Sequence, residues 1–263
     1  MNEKIIISVI TVFFISISLL LFRGNKCEYE EVFKPNFSFP FYKEALKEDY
    51  LKYQKNNNLT IKDSIIRVNI GLNHPFYENT SLALDINKIT MLVNKYHYVN
   101  KDYIPDNLIE INGLLINKEV YESYLKMQED MLKENLNIRI ISAYRSYEYQ
   151  ESLYNNYLKY ETRSLVDTYS ARAGYSEHHT GLAIDIDNGK LDYNNFYLTK
   201  EFIWMNDNAY KYGFILRYPK DKEKITGYKY EPWHYRYVGK EIATYIKKNN
   251  STYEEYYYEF LDK

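Results

Sequence analysis

The sequence has almost no cysteine. Cys27 is the single cysteine in 263 residues, so the chain cannot form an intramolecular disulfide and no thiolate cluster can bind a metal. Any metal site must therefore be built from His, Asp and Glu side chains. A strong charge of one sign is also lacking, because the formal net charge is only −2. Such a balance gives no indication of a nucleic-acid partner.

A recognisable signal-peptidase cleavage pattern is lacking too, although the N-terminus is strongly apolar. Residues 5–22 carry no charge and are bounded by Lys4 and Arg23. This length is at the lower end of what spans a bilayer as a helix. No small-x-small cleavage pattern follows, and the residues before Cys27 do not fit a lipoprotein signal. We predict an uncleaved, single-pass transmembrane anchor over residues 1–23, whose flanking charges leave its orientation open.

Tyrosine is the residue in excess, with 32 copies beside abundant Ile, Lys and Asn. One interpretation is an aromatic surface that binds carbohydrate or peptide. The other is a coding bias toward A/T-rich codons, which favours these four residue types together. We prefer the second interpretation, so composition alone assigns no function.

The chain after the anchor divides into a spacer, one mixed domain and a tail. Residues 24–85 predict a stalk and helical spacer, with a helix near 41–55 and another from Thr60 through Ile66. Residues 86–250 mix helices and strands without strict alternation, which favours an α+β fold with a small antiparallel sheet and flanking helices. Residues 251–263 predict a helical tail. The predicted strands are 88–93, 138–144, 181–186, 214–217 and 228–237, and the predicted helices are 117–135, 147–160, 199–212 and 238–248.

The first motif with candidate chemistry runs from Ser176 to Asp185. After His178, Gly181 permits a tight turn into a strand, in which Ala183 and Asp185 share one face. Asp185 can then reach the same point in space as His178. The adjacent His179 should aim elsewhere, and we expect it to support the site or to pack. His74 and His97 have no useful companions and are expected to be structural.

The second motif, about fifty residues later, is Glu231-Pro-Trp-His234. Its glutamate and histidine converge on one cavity only if the chain turns or bulges between them. Together the motifs offer His178, Asp185 and His234 as metal ligands, one open position for water, and Glu231 as a base, which is what a zinc hydrolase requires. The alternative for Glu231 is a surface salt bridge with Arg236.

These motifs resemble the VanY-type zinc D-alanyl-D-alanine carboxypeptidases, which belong to a wider group with lysostaphin-like and Sonic-hedgehog-fold metallopeptidases. The resemblance covers roughly residues 86–250. Besides the two motifs it includes Ser142-Ala-Tyr-Arg145-Ser146, Gln150 and Tyr212-Gly-Phe214.

The resemblance implies a role for each matched residue. It implies that Zn²⁺ is bound by His178, Asp185 and His234, with Glu231 as general base and then acid. Arg145 would face the scissile carbonyl or the terminal carboxylate of the substrate. Gln150 and Ser176 would line the substrate cleft.

The implied activity is a D,D-carboxypeptidase that removes the C-terminal D-alanine from peptidoglycan stem peptides. Because that substrate lies outside the cell, we expect a membrane-anchored enzyme with an extracytoplasmic catalytic domain. The same chemistry fits an L,D-carboxypeptidase that trims tetrapeptide stems to tripeptides, or a wall endopeptidase. A non-catalytic, zinc-stabilised module that binds or senses the cell wall is the alternative from a different class.

Overall fold

The computed structural model describes residues 39–262 of the chain. The predicted anchor at residues 1–23 and most of the predicted stalk lie outside these residues. Within residues 39–262, no helix is both long enough and apolar enough to cross a bilayer. The described chain separates into two compact units, residues 39–65 and 66–262.

The first unit contains helix α1, Lys47–Asn57, preceded by a 3₁₀ turn. Tyr50 on α1 is fully buried, and its ring lies 5.6 Å from that of Tyr42. The predicted cap at Thr60 is confirmed, since its hydroxyl oxygen accepts from the Asp63 backbone N–H at 3.1 Å. The helix that follows, α2, is Ile61–Ile70 and is longer than the sequence predicts.

The second unit mixes short strands with helices. Its strands are β1 Ser81–Leu82, β2 His97–Tyr98, β3 Leu108–Ile111, β4 Leu114–Asn117, β5 Arg139–Ser142, β6 Ala183–Asp187, β7 Phe214–Leu216 and β8 His234–Tyr237. Its helices are α3 Lys118–Lys133, α4 Tyr147–Tyr157, α5 Arg163–Val166, α6 Lys200–Asn208, α7 Glu223–Thr226, α8 Lys240–Asn249 and α9 Tyr253–Phe260.

The central sheet has the strand order β5-β6-β8-β7, and each neighbouring pair is antiparallel. This confirms the predicted mixture of helices with a small antiparallel sheet. The hairpin β3–β4 was not predicted. Its signal was the Asn112-Gly113 pair, because both residues have positive φ, as the tight turn of a two-residue hairpin requires.

Helix α3 covers one face of this sheet. Its buried residues recur at spacings of four, three and four, and they join one apolar cluster with Ile184 and Ile186 of β6. The predicted core role of Met127 and Met131 is thus confirmed. Each such side chain contributes about 1.5–3 kcal/mol when fully removed from water.

The strand prediction at 88–93 is wrong, and the strand prediction at 228–237 is wrong in part. Residues 88–93 form turns and irregular backbone, although Met91 and Val93 are fully buried. The Arg236 guanidinium donates to the Ile89 and Met91 carbonyl oxygens at 3.1 and 2.6 Å, so a side chain takes the place of a strand partner. The predicted strand 228–237 is reduced to β8, because the chain turns at residues 231–234.

The predicted helical tail is confirmed as α9, and it is firmly capped. The Thr252 hydroxyl oxygen accepts from the Glu255 backbone N–H, and the Glu255 carboxylate accepts from the Thr252 backbone N–H at 2.8 Å. Tyr253, Glu254 and Tyr257 are buried. Helix α9 is therefore part of the packed second unit.

Candidate active site

The register of the central sheet places polar residues side by side. Asp185 of β6 lies directly opposite His234 of β8, and Ser142 of β5 pairs with Asp185 on the other side. His178 belongs to a 3₁₀ turn, Glu177–Thr180, that ends at Gly181 with φ +67°. A Cβ at Gly181 would come within 2.8 Å of a side-chain carbon, so the predicted tight turn into β6 does need glycine here.

Each candidate ligand has one atom secured by the protein. His178 Nδ1 donates to the Ala143 carbonyl oxygen at 2.6 Å, which leaves Nε2 as the lone-pair nitrogen. Asp185 Oδ2 accepts from the Arg145 guanidinium at 2.5 Å, which leaves Oδ1 as the carboxylate oxygen available to a metal. His234 Nε2 lies 3.4 Å from the Glu177 carboxylate, which leaves Nδ1 as the ring nitrogen available to a metal. Metal-binding histidines are typically oriented in this way, by a hydrogen bond from the other ring nitrogen.

The three remaining atoms fit a zinc ion. Within residues 39–262, His178 Nε2 and Asp185 Oδ1 are buried and have no hydrogen-bond partner, which is costly unless something else binds them. His234 Nδ1 lies 3.3 Å from Asp185 Oδ1, and His178 Nε2 lies 3.3 Å from the other oxygen of the same carboxylate, Oδ2. Each of the three residues offers one ligand atom within 4.8 Å of those of the other two. Adjacent corners of a tetrahedron with metal–ligand distances of about 2.0–2.1 Å are roughly 3.3–3.4 Å apart.

A tight turn brings Glu231 to the same place. The His234 N–H donates to the Glu231 carbonyl oxygen at 3.3 Å, and Pro232 occupies the second position of this turn, which its fixed φ favours. The Glu231 carboxylate then lies 3.5 Å from His234 Nδ1. The alternative salt bridge with Arg236 is wrong, because Arg236 is fully buried and pairs with Glu177.

The protonation behaviour of the cluster follows from its burial. Burial raises the pKa of the Glu231 carboxyl to about 8, although the charges of His234 and Arg145 oppose the shift. Burial also lowers the pKa of His178 to about 4, and the Arg145 charge adds to the effect. Burial disfavours the charged form of Asp185, but its neighbours outweigh this and hold its pKa well below the usual range. At neutral pH, His178 and Asp185 thus carry the forms that bind metals.

The cluster lies in the wall of a cleft of about 890 Å³. Arg145, Gln150 and Ser176 all line this cleft, so the structure brings every residue of the predicted site together. Seven of the lining residues are tyrosines. An aromatic binding surface, the less favoured interpretation of the tyrosine excess, therefore has a location on the molecule.

Arg145 is held in place by hydrogen bonds from both its guanidinium group and its backbone N–H. Its Nε donates to the Ser142 hydroxyl at 3.0 Å and one terminal nitrogen donates to Asp185, while its backbone N–H donates to the His178 carbonyl oxygen. These two side-chain bonds use two of the five guanidinium N–H groups. The remaining donors lie on a side chain that is 20% exposed.

Gln150 and Ser176 are also committed to local structure. The Gln150 amide nitrogen donates to the Ala171 carbonyl oxygen at 2.8 Å, while its buried amide oxygen has no partner within the described residues. The Ser176 hydroxyl oxygen accepts from the His178 backbone N–H at 3.3 Å and caps the 3₁₀ turn. Of the two, Gln150 has the free acceptor that a substrate N–H can use.

His179 does not face the cluster, as predicted. Its Nδ1 donates to the Arg145 carbonyl oxygen at 2.7 Å, and its Nε2 accepts from the Gly174 N–H at 3.0 Å. Both ring nitrogens are therefore used. His97 is likewise satisfied, between Ser81 and Tyr258.

Glu177 is the site residue that the sequence analysis missed. It is fully buried and accepts from Arg217 Nε at 2.7 Å and from Arg236 at 3.2 Å, besides its contact with His234. Burial opposes its ionisation, but the two arginines hold its pKa below the usual range. Burial likewise opposes protonation of His234, but hydrogen bonds to Asp185 and Glu177 raise its pKa to about 9. The signal was two arginines, Arg217 and Arg236, within the predicted strands 214–217 and 228–237, since charges that become buried there require a partner.

Comparisons with known proteins agree with this geometry. Residues 113–240 match the family model of VanY, D-alanyl-D-alanine carboxypeptidase. The chain is 40% identical to the putative carboxypeptidase YodJ of Bacillus subtilis over 185 residues, which is 64% of this chain and 67% of YodJ. This chain belongs to the VanY family.

Solved VanY-family structures share the fold as well as the sequence. The LdcB LD-carboxypeptidase matches with a TM-score of 0.65 and 37% identity, over 69% of this chain and 91% of that one. A VanY D,D-pentapeptidase variant from a vancomycin-resistance cassette, crystallised with Zn(II), matches with a TM-score of 0.56 and 32% identity. That match covers 64% of this chain and 97% of the other. The described site thus lies on a known peptidase fold.

Proposed function

We propose that the protein is a zinc-dependent D,D-carboxypeptidase that removes the C-terminal D-alanine from peptidoglycan stem peptides. The observation that carries the proposal is the buried cluster of His178, Asp185 and His234 with Glu231 beside it. The family model supports the substrate class, and the Zn(II)-bound VanY structure supports the metal.

His178 Nε2, Asp185 Oδ1 and His234 Nδ1 would hold the zinc ion, which would supply a Lewis acid that acidifies water and polarises the peptide carbonyl. The three ligands are held in their orientation by the Ala143 carbonyl, Arg145 and Glu177. Second contacts of this kind fix the tautomer and the ring plane of each histidine.

Glu231 transfers the proton. Its carboxylate accepts a proton from the attacking water and returns it to the departing amine, which leaves as D-alanine. Burial raises its pKa to about 8, so the group can both take and give a proton near neutral pH. A site that used zinc only for structure would need no such base.

Arg145 recognises the free carboxylate of the substrate. An exopeptidase must distinguish a C-terminus from an internal peptide bond, and guanidinium is a fixed and permanently charged donor for a carboxylate. Because Ser142 and Asp185 already hold this side chain, little conformational entropy is lost on binding. Gln150 and Ser176 complete the cleft wall, with the free Gln150 amide oxygen accepting a substrate N–H.

An L,D-carboxypeptidase is the second candidate. LdcB is similar to this chain with a higher TM-score and identity than the VanY structure. The metal chemistry is the same for both activities, and only the fit of the residue before the cut bond differs.

The decisive experiment is to incubate the purified protein with defined pentapeptide and tetrapeptide stems and to follow the products by mass spectrometry. Loss of the terminal D-alanine from the pentapeptide supports the D,D activity. Cleavage of the tetrapeptide alone supports the L,D activity. Bound zinc without turnover of any stem peptide would contradict both and favour a wall-sensing module.

Membrane anchorage through residues 1–23, with the catalytic domain outside the cytoplasm, belongs to the same proposal. The substrate class supports it, since stem peptides of the wall are met outside the membrane. Full-length protein should partition with membranes and be digested by protease added to intact protoplasts. A chain that begins at residue 24 should be found in the soluble fraction.

A further inference from the structure

We infer that Glu254, on the C-terminal helix α9, is a positioning residue for His234 and acts on it through Arg217 and Glu177. The inference rests on the proposed function only in taking His234 as a ligand of the metal. Glu254 lies outside the segment, 113–240, that matches the family model. It touches neither the cleft nor the candidate ligands themselves.

An unbroken path of hydrogen bonds joins Glu254 to His234. The Glu254 carboxylate accepts two hydrogen bonds from the Arg217 guanidinium, at 2.9 and 2.5 Å. Arg217 Nε donates to one Glu177 oxygen at 2.7 Å, and the other Glu177 oxygen lies 3.4 Å from His234 Nε2. Arg217 therefore bridges two carboxylates with three of its N–H groups, which fixes the plane of its guanidinium.

Because the side chains of this path are buried, the favoured arrangement is the one in which every charge is paired. The side chains of Arg217, Glu177 and Arg236 have no exposed surface, and that of Glu254 has 1%. Two carboxylates and two guanidinium groups balance in charge. Without Glu254, Arg217 would keep two donors in a dry environment with no carboxylate to accept them. The guanidinium would then have to reorient and carry Glu177 away from the His234 ring.

Helix α9 is well suited to hold such a group. Its capping box fixes the first turn, and the Tyr253 hydroxyl donates to the Thr90 carbonyl oxygen at 2.7 Å. The Asn94 amide also donates to Glu254 at 3.3 Å. Precise positioning of ligands requires supporting groups whose own rotamers are locked, and Glu254 meets that condition.

The test compares E254Q with its neighbour variant E255Q in the full chain. E254Q keeps the size of the side chain but removes the charge that Arg217 requires. E255Q removes the negative charge from the first turn of the same helix and from its contact with Lys222 at 3.8 Å, without touching the path, so it reports any general loss of α9 stability. E254D provides a conservative rescue, because it retains the carboxylate.

Zinc affinity, measured by competition with a chromogenic chelator, is the primary measurement. We expect E254Q to bind zinc roughly tenfold more weakly, the lower end of the effect of losing an outer-shell contact. The visible absorption of the Co(II)-substituted protein should change in E254Q, since His234 is reoriented. E255Q should lower the melting temperature but leave zinc affinity and the Co(II) spectrum at the parent values, and E254D should lie between parent and E254Q.

Unchanged zinc affinity and Co(II) spectrum in folded E254Q would overturn the inference. Equal losses in E254Q and E255Q would also overturn it, because they would show only that α9 stabilises the fold. Failure of the proposed peptidase function can be distinguished from failure of this inference. A parent protein that binds zinc but cleaves no stem peptide contradicts the peptidase, while a zinc defect specific to E254Q still supports the positioning role.

Discussion

Two clusters of charged residues lie on either side of His234, and they differ in how completely they are paired. On the cleft side, His178 Nε2 and Asp185 Oδ1 are buried with no hydrogen-bond partner among the described residues. On the inner side, Glu177 and Arg217 are saturated with charged partners. The first cluster is incomplete without a ligand, whereas the second is complete by itself.

This difference in pairing indicates that the cleft-side cluster can bind a ligand and that the inner cluster supports it. Buried polar atoms without partners are costly, so two of them side by side favour a ligand bound at that point. A fully paired ion network gives little net stability over an apolar core of the same shape, but breaking it is expensive. On the proposed function, the inner cluster fixes geometry, while the outer cluster binds metal and substrate. Four experiments test this division, from the largest expected effect to the smallest.

Removal of a ligand from the cleft side should abolish function. We expect H178A to lose bound zinc and to lose at least about 10³-fold in turnover, because activation of water depends on the metal. Metal content by atomic emission and D-alanine release are the measurements. H179Q is the matched control and should keep its zinc, since both ring nitrogens of His179 bond to the backbone. Zinc loss in both variants would contradict the ligand assignment.

Removal of the base should abolish turnover but spare the metal. For E231Q we expect kcat to fall by roughly 10²–10⁴-fold, the usual range for loss of a general base. Zinc content and melting temperature should stay near the parent values, with the exposed E122Q as a control for a surface glutamate. A fully active E231Q would show that another group carries the proton.

Removal of a cation from the inner side should lower the stability of the fold in addition to disturbing the position of His234. We expect R217M to lower the free energy of unfolding by about 3–5 kcal/mol, because Glu177 and Glu254 would be left buried together. Urea denaturation followed by circular dichroism measures the effect. In the double variant R217M/E254Q the loss should be smaller than the sum of the single losses. Strict additivity would mean that the two side chains do not interact.

Replacement of Arg145 should give the smallest effect of the four. R145K keeps the charge but loses the planar fork, and a hydrogen bond between charged groups is worth about 1.5–3 kcal/mol. We therefore expect kcat/KM for a stem pentapeptide to fall roughly 10- to 150-fold, mostly through KM. A substrate amidated at its C-terminus should discriminate little between R145K and the parent. Equal losses on both substrates in R145K that keeps its zinc would place Arg145 at the carbonyl instead, and zinc content must be measured because Arg145 also orients Asp185.

Much of the local structure could be predicted because its signals are local. Helix α3 followed from the spacing of its apolar residues, and the turn at Gly181 from the backbone angles that glycine permits. The strand prediction at 88–93 was wrong because the Met91 carbonyl oxygen accepts a hydrogen bond from the Arg236 side chain, 145 residues further along the chain, and not from a neighbouring strand. Hydrophobicity indicated burial there, but no local pattern reveals such a partner.

The sequence by itself determined which residues are the candidates for metal binding and catalysis. Two histidines, an aspartate and a glutamate in two motifs indicate a zinc hydrolase, because ligand type and spacing are chemical properties of the chain. Only the tertiary structure decided how those residues are held. The support comes from Glu177, Arg217 and Glu254, which meet through folding across many residues of sequence, and a buried ion network leaves no periodic pattern to read.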